Sequence, residues 1–308
     1  MNRVDVSTVP FCDKNETNAP NVLLQKFQSL STMNRRNFIQ LGLAATAGLV
    51  VPVHGAETLT SSTPSHPKRG LGITTKPGSQ WREKLERCGA RWFYSWGPIA
   101  PKSLPNEVKF APMIYGRTGV ELQTKIGEIL KQQGSQELLG FNEPDSKEQS
   151  DLKVEQALEL WPELMKLGLR MGSPGCVHPD KEWMRAFMKG VAEKNLRVDF
   201  VSVHDYGGLN VDGLMNRLEA VHEEYQRPLW ITELGVGDWE AKTRAENRYQ
   251  PDEIVKFLEQ LLPRLDQCEF IERYAWFPAK PDNAALGPCA LFNEDGSLTP
   301  VGQAYRSV

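Results

Sequence analysis

The sequence predicts an α/β fold of the (β/α)8 barrel type, in one catalytic domain. Three observations lead there. From Arg69 onward, short apolar runs alternate with longer segments of helical periodicity. The short runs number eight. Two of them end in a single glutamate. Strands that alternate with helices argue a parallel sheet. Eight such units within roughly 240 residues match a barrel. An open doubly wound sheet is the competing architecture. It would carry a glycine-rich turn that opens a helix, and Gly70-Leu71-Gly72-Ile73-Thr74-Thr75 lacks the third glycine.

The expected strands are Leu71–Thr74, Arg91–Trp96, Phe110–Tyr115, Glu137–Phe141, Leu169–Gly172, Phe200–His204, Leu229–Glu233 and Tyr274–Phe277. The expected helices between them are Gln80–Cys88, Thr118–Gln132, Lys153–Leu167, Lys181–Lys194, Val211–Tyr225 and Pro251–Leu262. Lys153–Leu167 places apolar residues at 154, 157, 158, 160, 161, 164 and 167, a single helical face. Pro251 suits the first turn of its helix, where no backbone N–H is needed.

Residues 1–56 read as an extension and an export signal, not as part of the fold. Arg35-Arg36 precedes Phe38-Ile39 and the weakly apolar run Leu41–Val51, which Pro52 ends. Small residues near Gly55 and Ala56 offer a cleavage point. This is the anatomy of a twin-arginine-type signal. The apolar run is shorter than the ~20 residues that span a bilayer, so no stable membrane anchor is expected. Residues 57–68, rich in Thr, Ser and Pro, read as a linker, and 69–308 as the catalytic domain. A periplasmic or secreted monomer is the expectation.

Composition narrows the function. Of 308 residues, 40% are hydrophobic and 24% charged, with a net charge of -3. Such a balance gives no field for nucleic acid or anionic membranes. The five cysteines, Cys12, Cys88, Cys176, Cys268 and Cys289, form no C-x-x-C pair, so no structural zinc site is expected. Their spacing does not select a disulfide. His222-Glu223-Glu224-Tyr225 lacks the second histidine of a zinc hydrolase motif. A G-x-S-x-G elbow is missing as well. Neither metal nor cofactor is expected.

Chemistry concentrates at the strand ends. Leu138-Leu139-Gly140-Phe141-Asn142-Glu143-Pro144 runs an apolar strand into a carboxylate, and Pro144 is expected to hold Glu143 extended. Leu229-Trp230-Ile231-Thr232-Glu233 does the same at the seventh strand. The C-terminal strand ends of a barrel form its active site. Two carboxyl groups on one rim are what glycoside cleavage needs, one as general acid/base and one as nucleophile. Around them stand Tyr94 and Trp96 at the second strand, Tyr115 at the third, His204 and Tyr206 at the sixth and Trp276 at the eighth. Aromatic side chains in such a mouth suit a sugar face.

The segments Trp92-Phe93-Tyr94-Ser95-Trp96-Gly97, Phe110-Ala111-Pro112-Met113-Ile114-Tyr115-Gly116, Leu139-Gly140-Phe141-Asn142-Glu143-Pro144-Asp145, Val203-His204-Asp205-Tyr206-Gly207 and Trp230-Ile231-Thr232-Glu233-Leu234-Gly235 together resemble the glycosyl hydrolase catalytic core family. Its characterised members form glycoside hydrolase family 128. The resemblance runs from about Leu71 to the C-terminus. It implies a retaining barrel that acts on β-1,3-glucan, with Glu143 as acid/base and Glu233 as nucleophile. It also implies substrate contacts at Asn142, His204 and Trp276. The Tyr-Ser-Trp of the second strand departs from the family, where a polar Asn or Glu-like residue is commoner in the middle. Two other readings share this site: a non-catalytic sugar-binding barrel, and a barrel glycosidase for another polysaccharide such as a mannan or a galactan.

Overall fold

The computed structural model describes residues 66–308 apart from Leu122. The expected export signal, Cys12 and most of the expected linker lie outside the described residues. The described end of that linker is docked on the domain. His66 Nδ1 sits 2.9 Å from an Asp266 oxygen, and Lys68 Nζ donates to the carbonyl of Cys268 at 2.7 Å.

Eight parallel strands are present: β1 Arg69–Gly72, β2 Trp92–Tyr94, β3 Lys109–Phe110, β4 Glu137–Leu138, β5 Arg170–Met171, β6 Val201–Asp205, β7 Leu229–Leu234 and β8 Ile271–Trp276. Six of them form the order β3-β2-β1-β8-β7-β6, and β4 pairs with β5. Parallel bridges join the two groups at both edges, Met113 to Leu139 on one side and Gly172 to Phe200 and Cys176 to Val203 on the other. The ring of eight is thereby continuous. The expected third strand is thus reduced to two ladder residues and one bridge beyond Pro112, which has no N–H to give.

Helices α1 Trp81–Cys88, α2 Arg117–Glu121, α3 Gln123–Gln132, α4 Val154–Met165, α5 Glu182–Glu193, α6 Val211–Tyr225, α7 Pro251–Gln267 and α8 Pro300–Ser307 surround the strands. Two differ from expectation. Helix α7 continues through Pro263, where the sequence suggests a stop. Its buried face of Leu258, Leu261, Leu262 and Leu265 outweighs the one hydrogen bond that proline removes. Helix α8 was not anticipated. Thr299 caps it, accepting from the N–H of Gly302, and Pro300 opens it.

Large rings fill the interior of the barrel. Trp92, Tyr94, Phe200 and Trp230 are all at most 1% exposed there, with Met113, Leu139 and Ala275. Phe200 stacks on Trp230 with centroids 4.2 Å apart. Glycines on neighbouring strands make the room. A Cβ at Gly172 would stand 2.5 Å from the Phe200 ring, and one at Gly70 would overlap the Trp92 indole. The N-terminal end is closed by charge. The Arg273 guanidinium lies 4.0 Å from the Trp230 ring centroid and donates to Glu137 at 2.8 Å. Arg170 grips Glu272 with two bonds of 2.6 and 2.7 Å, and the Trp230 indole donates to the same carboxylate.

The outer face of the ring packs on the helices. Trp161 of α4 meets Phe141 and Phe187 edge-on. Tyr305 of α8 packs against Tyr274 and Trp276 and donates to the carbonyl of Gly70 at 2.8 Å. Arg69, 1% exposed, donates to the carbonyls of Arg306 and Val308. The first strand and the last helix are therefore tied together. Cys88, Cys176, Cys268 and Cys289 are free thiols. Burial pushes those of Cys88 and Cys289 up to about 12, which leaves them inert.

Trp276 belongs to this outer layer. It is 0% exposed, and its indole N–H donates to the carbonyl of Cys289 at 2.9 Å. Trp276→Ala is expected to lower the unfolding free energy by about 3–5 kcal/mol in a urea titration. A change below about 1 kcal/mol would mean that the indole is not packed in this layer.

Candidate active site

The C-terminal ends of β2, β4, β6, β7 and β8 converge on Glu143 and Glu233. How Glu233 comes to face inward is not evident from simple alternation. Trp230 points into the barrel and Ile231 points out to the helices. Strict alternation would then aim Glu233 outward. The ladder, however, shifts. Val203 pairs with Ile231, yet His204 pairs with Glu233. Toward β8 the same slip falls between Ile231 and Leu234. The strand carries one residue more than its neighbours, a β-bulge, and the side-chain parity changes across it. Leu234 returns to the outer core and Glu233 turns into the mouth.

Glu233 is 5% exposed and well supplied with donors. Its Oε1 accepts from the Tyr94 hydroxyl and from the Trp96 indole N–H, each at 2.9 Å. Its Oε2 accepts from the Tyr206 hydroxyl. Burial, and then the charge of Glu233, push both phenols well above their ordinary values, so they stay protonated as donors. Trp96 reaches the carboxylate from a backbone with φ 55°, the left-handed region.

Glu143 also sits in that region, with φ 41°. The expected extended conformation is therefore corrected. Two pins set the turn: the Glu143 N–H donates to the carbonyl of Gly175 at 2.7 Å, and its carbonyl accepts from Ser146 at 3.0 Å. Asp145 adds a brace to the neighbouring loop. Its two oxygens accept from the N–H groups of Val177 and His178, at 3.0 and 3.1 Å. Such strain at a side chain in a mouth is a mark of function when the surroundings fix it this firmly.

His204 lies between the two carboxylates. Its Nδ1 is 2.8 Å from Glu143 Oε1 and 3.7 Å from Glu233 Oε2. Atoms of all three residues lie within 4.8 Å of one another. Burial raises the Glu143 pKa, and the His204 hydrogen bond pulls it partly back. Burial alone would lower His204, but the charges of Glu233 and Glu143 carry it above the usual value. The ring is 1% exposed, and its Nε2 has no partner among the described residues. A Cβ at Gly175 would stand 2.8 Å from that nitrogen, so only glycine leaves it space.

The expected site residues separate into two groups. Tyr94, Trp96, Asn142, His204 and Tyr206 meet around the carboxylates. Tyr94 and His204 are too buried to be open sugar contacts; they hold the carboxylates in place. Asn142, 3% exposed, lies 3.5 Å from Gln149, to which Tyr115 also donates. The Asn142 Oδ1 is buried and has no partner among the described residues. Trp276 is not brought to the site, because its side chain faces Tyr305. The next residue, Phe277, takes the place in the mouth, 5.9 Å from Trp96 and 5.5 Å from Tyr206. Sequence reasoning missed Phe277, Gln149 and Asp145. Only Asp145 left a signal, as a carboxylate two residues beyond Glu143.

The arrangement predicts a pH effect. Removing the imidazole takes away a hydrogen bond that favours ionised Glu143, so its pKa rises further. In His204→Ala, the alkaline limb of kcat/KM should move to higher pH while activity falls. A limb that moves to lower pH would contradict this reading of the pair.

The glycosyl hydrolase catalytic core family matches residues 70–305. An endo-β-1,3-glucanase of glycoside hydrolase family 128, subgroup I, from Amycolatopsis mediterranei, solved as a glutamate-to-glutamine mutant with laminarihexaose, is 33% identical. The alignment covers 79% of this chain and 99% of that one, with a TM-score of 0.70. A curdlan-specific exo-β-1,3-glucanase of subgroup III from Blastomyces gilchristii is 27% identical over 80% of this chain and 100% of that one, at a TM-score of 0.63. An oligosaccharide-binding protein of subgroup VII from Trichoderma gamsii, 22% identical over 79% and 93% of the two chains, shares the fold at a TM-score of 0.60. No functionally curated protein matches. Two glutamates at the mouth of a (β/α)8 barrel, a family match across the whole barrel and a one-third identity to a family 128 enzyme agree: this chain belongs to the glycosyl hydrolase catalytic core family and is a glycoside hydrolase.

Proposed function

We propose that the protein is a retaining endo-β-1,3-glucanase that works by double displacement. Glu233 is the nucleophile and Glu143 the acid/base. The observation that carries the assignment is the difference between the two carboxylates. Three O–H and N–H donors hold the Glu233 oxygens in place in the mouth. Burial raises Glu143 and favours its protonated form. Oxygens of the two lie within 4.8 Å. Retaining enzymes hold their carboxyl groups about 5–5.5 Å apart, and inverting ones roughly 6.5–9.5 Å apart.

In the first step, Glu143 gives its proton to the glycosidic oxygen, and the C–O bond to the leaving sugar breaks. A Glu233 oxygen bonds to the anomeric carbon from the opposite face and forms a glycosyl ester. The negative charge of Glu233, which helps to raise Glu143, is then gone. The Glu143 pKa falls, and the ionised group can take a proton from water. That water attacks the anomeric carbon, the ester bond breaks and Glu233 is restored. The sugar leaves with its original configuration.

The choice of β-1,3-glucan rests on the family 128 relatives crystallised with laminari-oligosaccharides. We propose further that the enzyme acts as a monomer outside the cytoplasm, exported by the twin-arginine-type segment around Arg35-Arg36. Among the described residues, no helix is long and apolar enough to cross a membrane.

Two tests follow from the assignments. Glu233→Ala should abolish turnover, and azide or formate should restore product of inverted configuration. Glu143→Ala should lose most activity on glucan yet keep more on substrates with a good leaving group, which need no protonation. Exchanged behaviours would reverse the roles, and wild-type turnover in both would move the site elsewhere. For export, the double substitution Arg35→Lys and Arg36→Lys should leave precursor in the cytoplasm, scored by fractionation; normal export would overturn that reading.

A further inference from the structure

We infer that Arg217, on the outer helix α6, is a positioning residue that acts on Glu233 through the turn carrying Tyr206. The inference rests on the assignment of Glu233 as nucleophile and extends it to a side chain outside the catalytic cluster.

The turn begins where β6 ends, and its residues are Asp205, Tyr206 and Gly207. The Asp205 carboxylate carries it. One oxygen accepts from the Gly207 N–H at 2.9 Å, and the other accepts from the Arg217 guanidinium. The Asp205 carbonyl accepts from the Gly235 N–H at 3.0 Å, which ties the turn to the chain just past Glu233. Tyr206 lies between these bonds. Its ring sits against Gly235, where a Cβ would stand 3.1 Å from it, and its hydroxyl donates to Glu233. The direction of the phenol therefore depends on the peptide groups on either side of it, and both are held through Asp205.

Arg217 is what makes Asp205 a firm anchor. The Asp205 side chain is 11% exposed, and a carboxylate so far removed from water needs a charged partner. Arg217 is itself fixed by a second bond, to Asp180 at 3.1 Å in the loop before α5. That loop is held from two further sides. Tyr225 of α6 donates to the carbonyl of Pro179 at 2.7 Å, and Asp145 accepts from the N–H groups of Val177 and His178. One guanidinium thus bridges two loops of the mouth, a task for a planar fork with donors on two sides. A displacement of about 1 Å at a reacting group can cost on the order of a hundred-fold in rate, so a brace at this distance from the chemistry can be felt there.

Arg185 of α5 provides the contrast. It also makes a two-bonded ion pair, with Glu224 of α6 at 2.6 and 3.1 Å. Its side chain is 55% exposed, and its partner lies in the last turn of α6, the end that leads into β7 and not the end that follows β6. An ion pair of this kind steadies two helices and reaches no residue of the mouth.

The test is a double-mutant cycle in the full protein: Arg217→Met, Tyr206→Phe and both together, with Arg217→Lys and Arg185→Met beside them. Kinetics are measured on laminarihexaose, with a thermal melt of each preparation. Arg217→Met should lower kcat roughly ten-fold and leave KM within about two-fold. Once Tyr206→Phe has removed the phenol hydroxyl, the same substitution should cost at most about two-fold more. Arg217→Lys, which reaches one carboxylate at a time, should recover part of the loss, and Arg185→Met should keep the wild-type kcat. If Arg217→Met does not fold, Arg217→Lys carries the cycle. An unchanged kcat, a loss that persists in full in the Tyr206→Phe background, or an equal loss in Arg185→Met overturns the proposal. A wild type that cuts mannan or galactan oligomers and not laminarihexaose refutes the glucan reading alone; the cycle is then measured on that polymer and decides the role of Arg217 by the same outcomes.

Discussion

Between Ile231 and Leu234, β7 carries one residue more than either strand beside it. A parallel sheet tolerates such an insertion poorly in its middle, because ladder bonds are lost on both sides. Thr232 bears the cost: it is 1% exposed, and its hydroxyl has no partner among the described residues. In return a carboxylate enters the barrel mouth from a strand whose next residue still packs under the helices. Tyr94, Trp96, Tyr206 and His204 all have their roles because Glu233 is there to receive them. Without the bulge, an ionised group would face the outer apolar core, at several kcal/mol.

The second carboxylate is treated in the opposite manner. Glu143 receives one hydrogen bond, from His204, where Glu233 receives three. Burial, with the nearby charge of Glu233 adding to it, raises the Glu143 pKa, and the His204 hydrogen bond opposes that rise. The histidine couples the pair, because its Nδ1 faces both, and its Nε2 has no partner among the described residues. Strained backbone at Trp96 and Glu143 is concentrated in this same small volume. The scaffold that tolerates it is dense: stacked tryptophans inside the ring and a charged floor below them.

Much of this was legible in the sequence, and the exceptions have physical causes. Eight apolar runs and their glutamates were visible because strand burial writes itself in composition. The family resemblance implied roles for Glu143 and Glu233, and the structure brings the two carboxylates together. Side-chain direction was not visible. Trp276 and Phe277 are adjacent and both aromatic, and only the register of β8 says which one faces the mouth. The bulge at Thr232 leaves no local mark, since Trp-Ile-Thr-Glu reads as ordinary strand. The left-handed turn at Glu143 runs against the extended bias before a proline, because tertiary hydrogen bonds to Gly175 and Ser146 fix it. Helix α8 had a clear Thr-Pro start and was lost only because an irregular segment precedes it.

The tie between Arg69 and α8 has a bearing on how the chain reaches this state. The ring needs β8 against β1, and the Tyr305 hydroxyl and Arg69 guanidinium then fasten the last helix over that seam. As the ribosome delivers the chain from its N-terminus, β1 emerges early and must wait for partners made some two hundred residues later. During that interval β1 and β2 can pair with each other, but the other edge of β1 is uncovered. Contacts of such long sequence separation slow folding and lengthen exposure of the open edge. The open edge of the nascent barrel is therefore exposed until β8 appears, and a chaperone that shields β1 would have most effect before then.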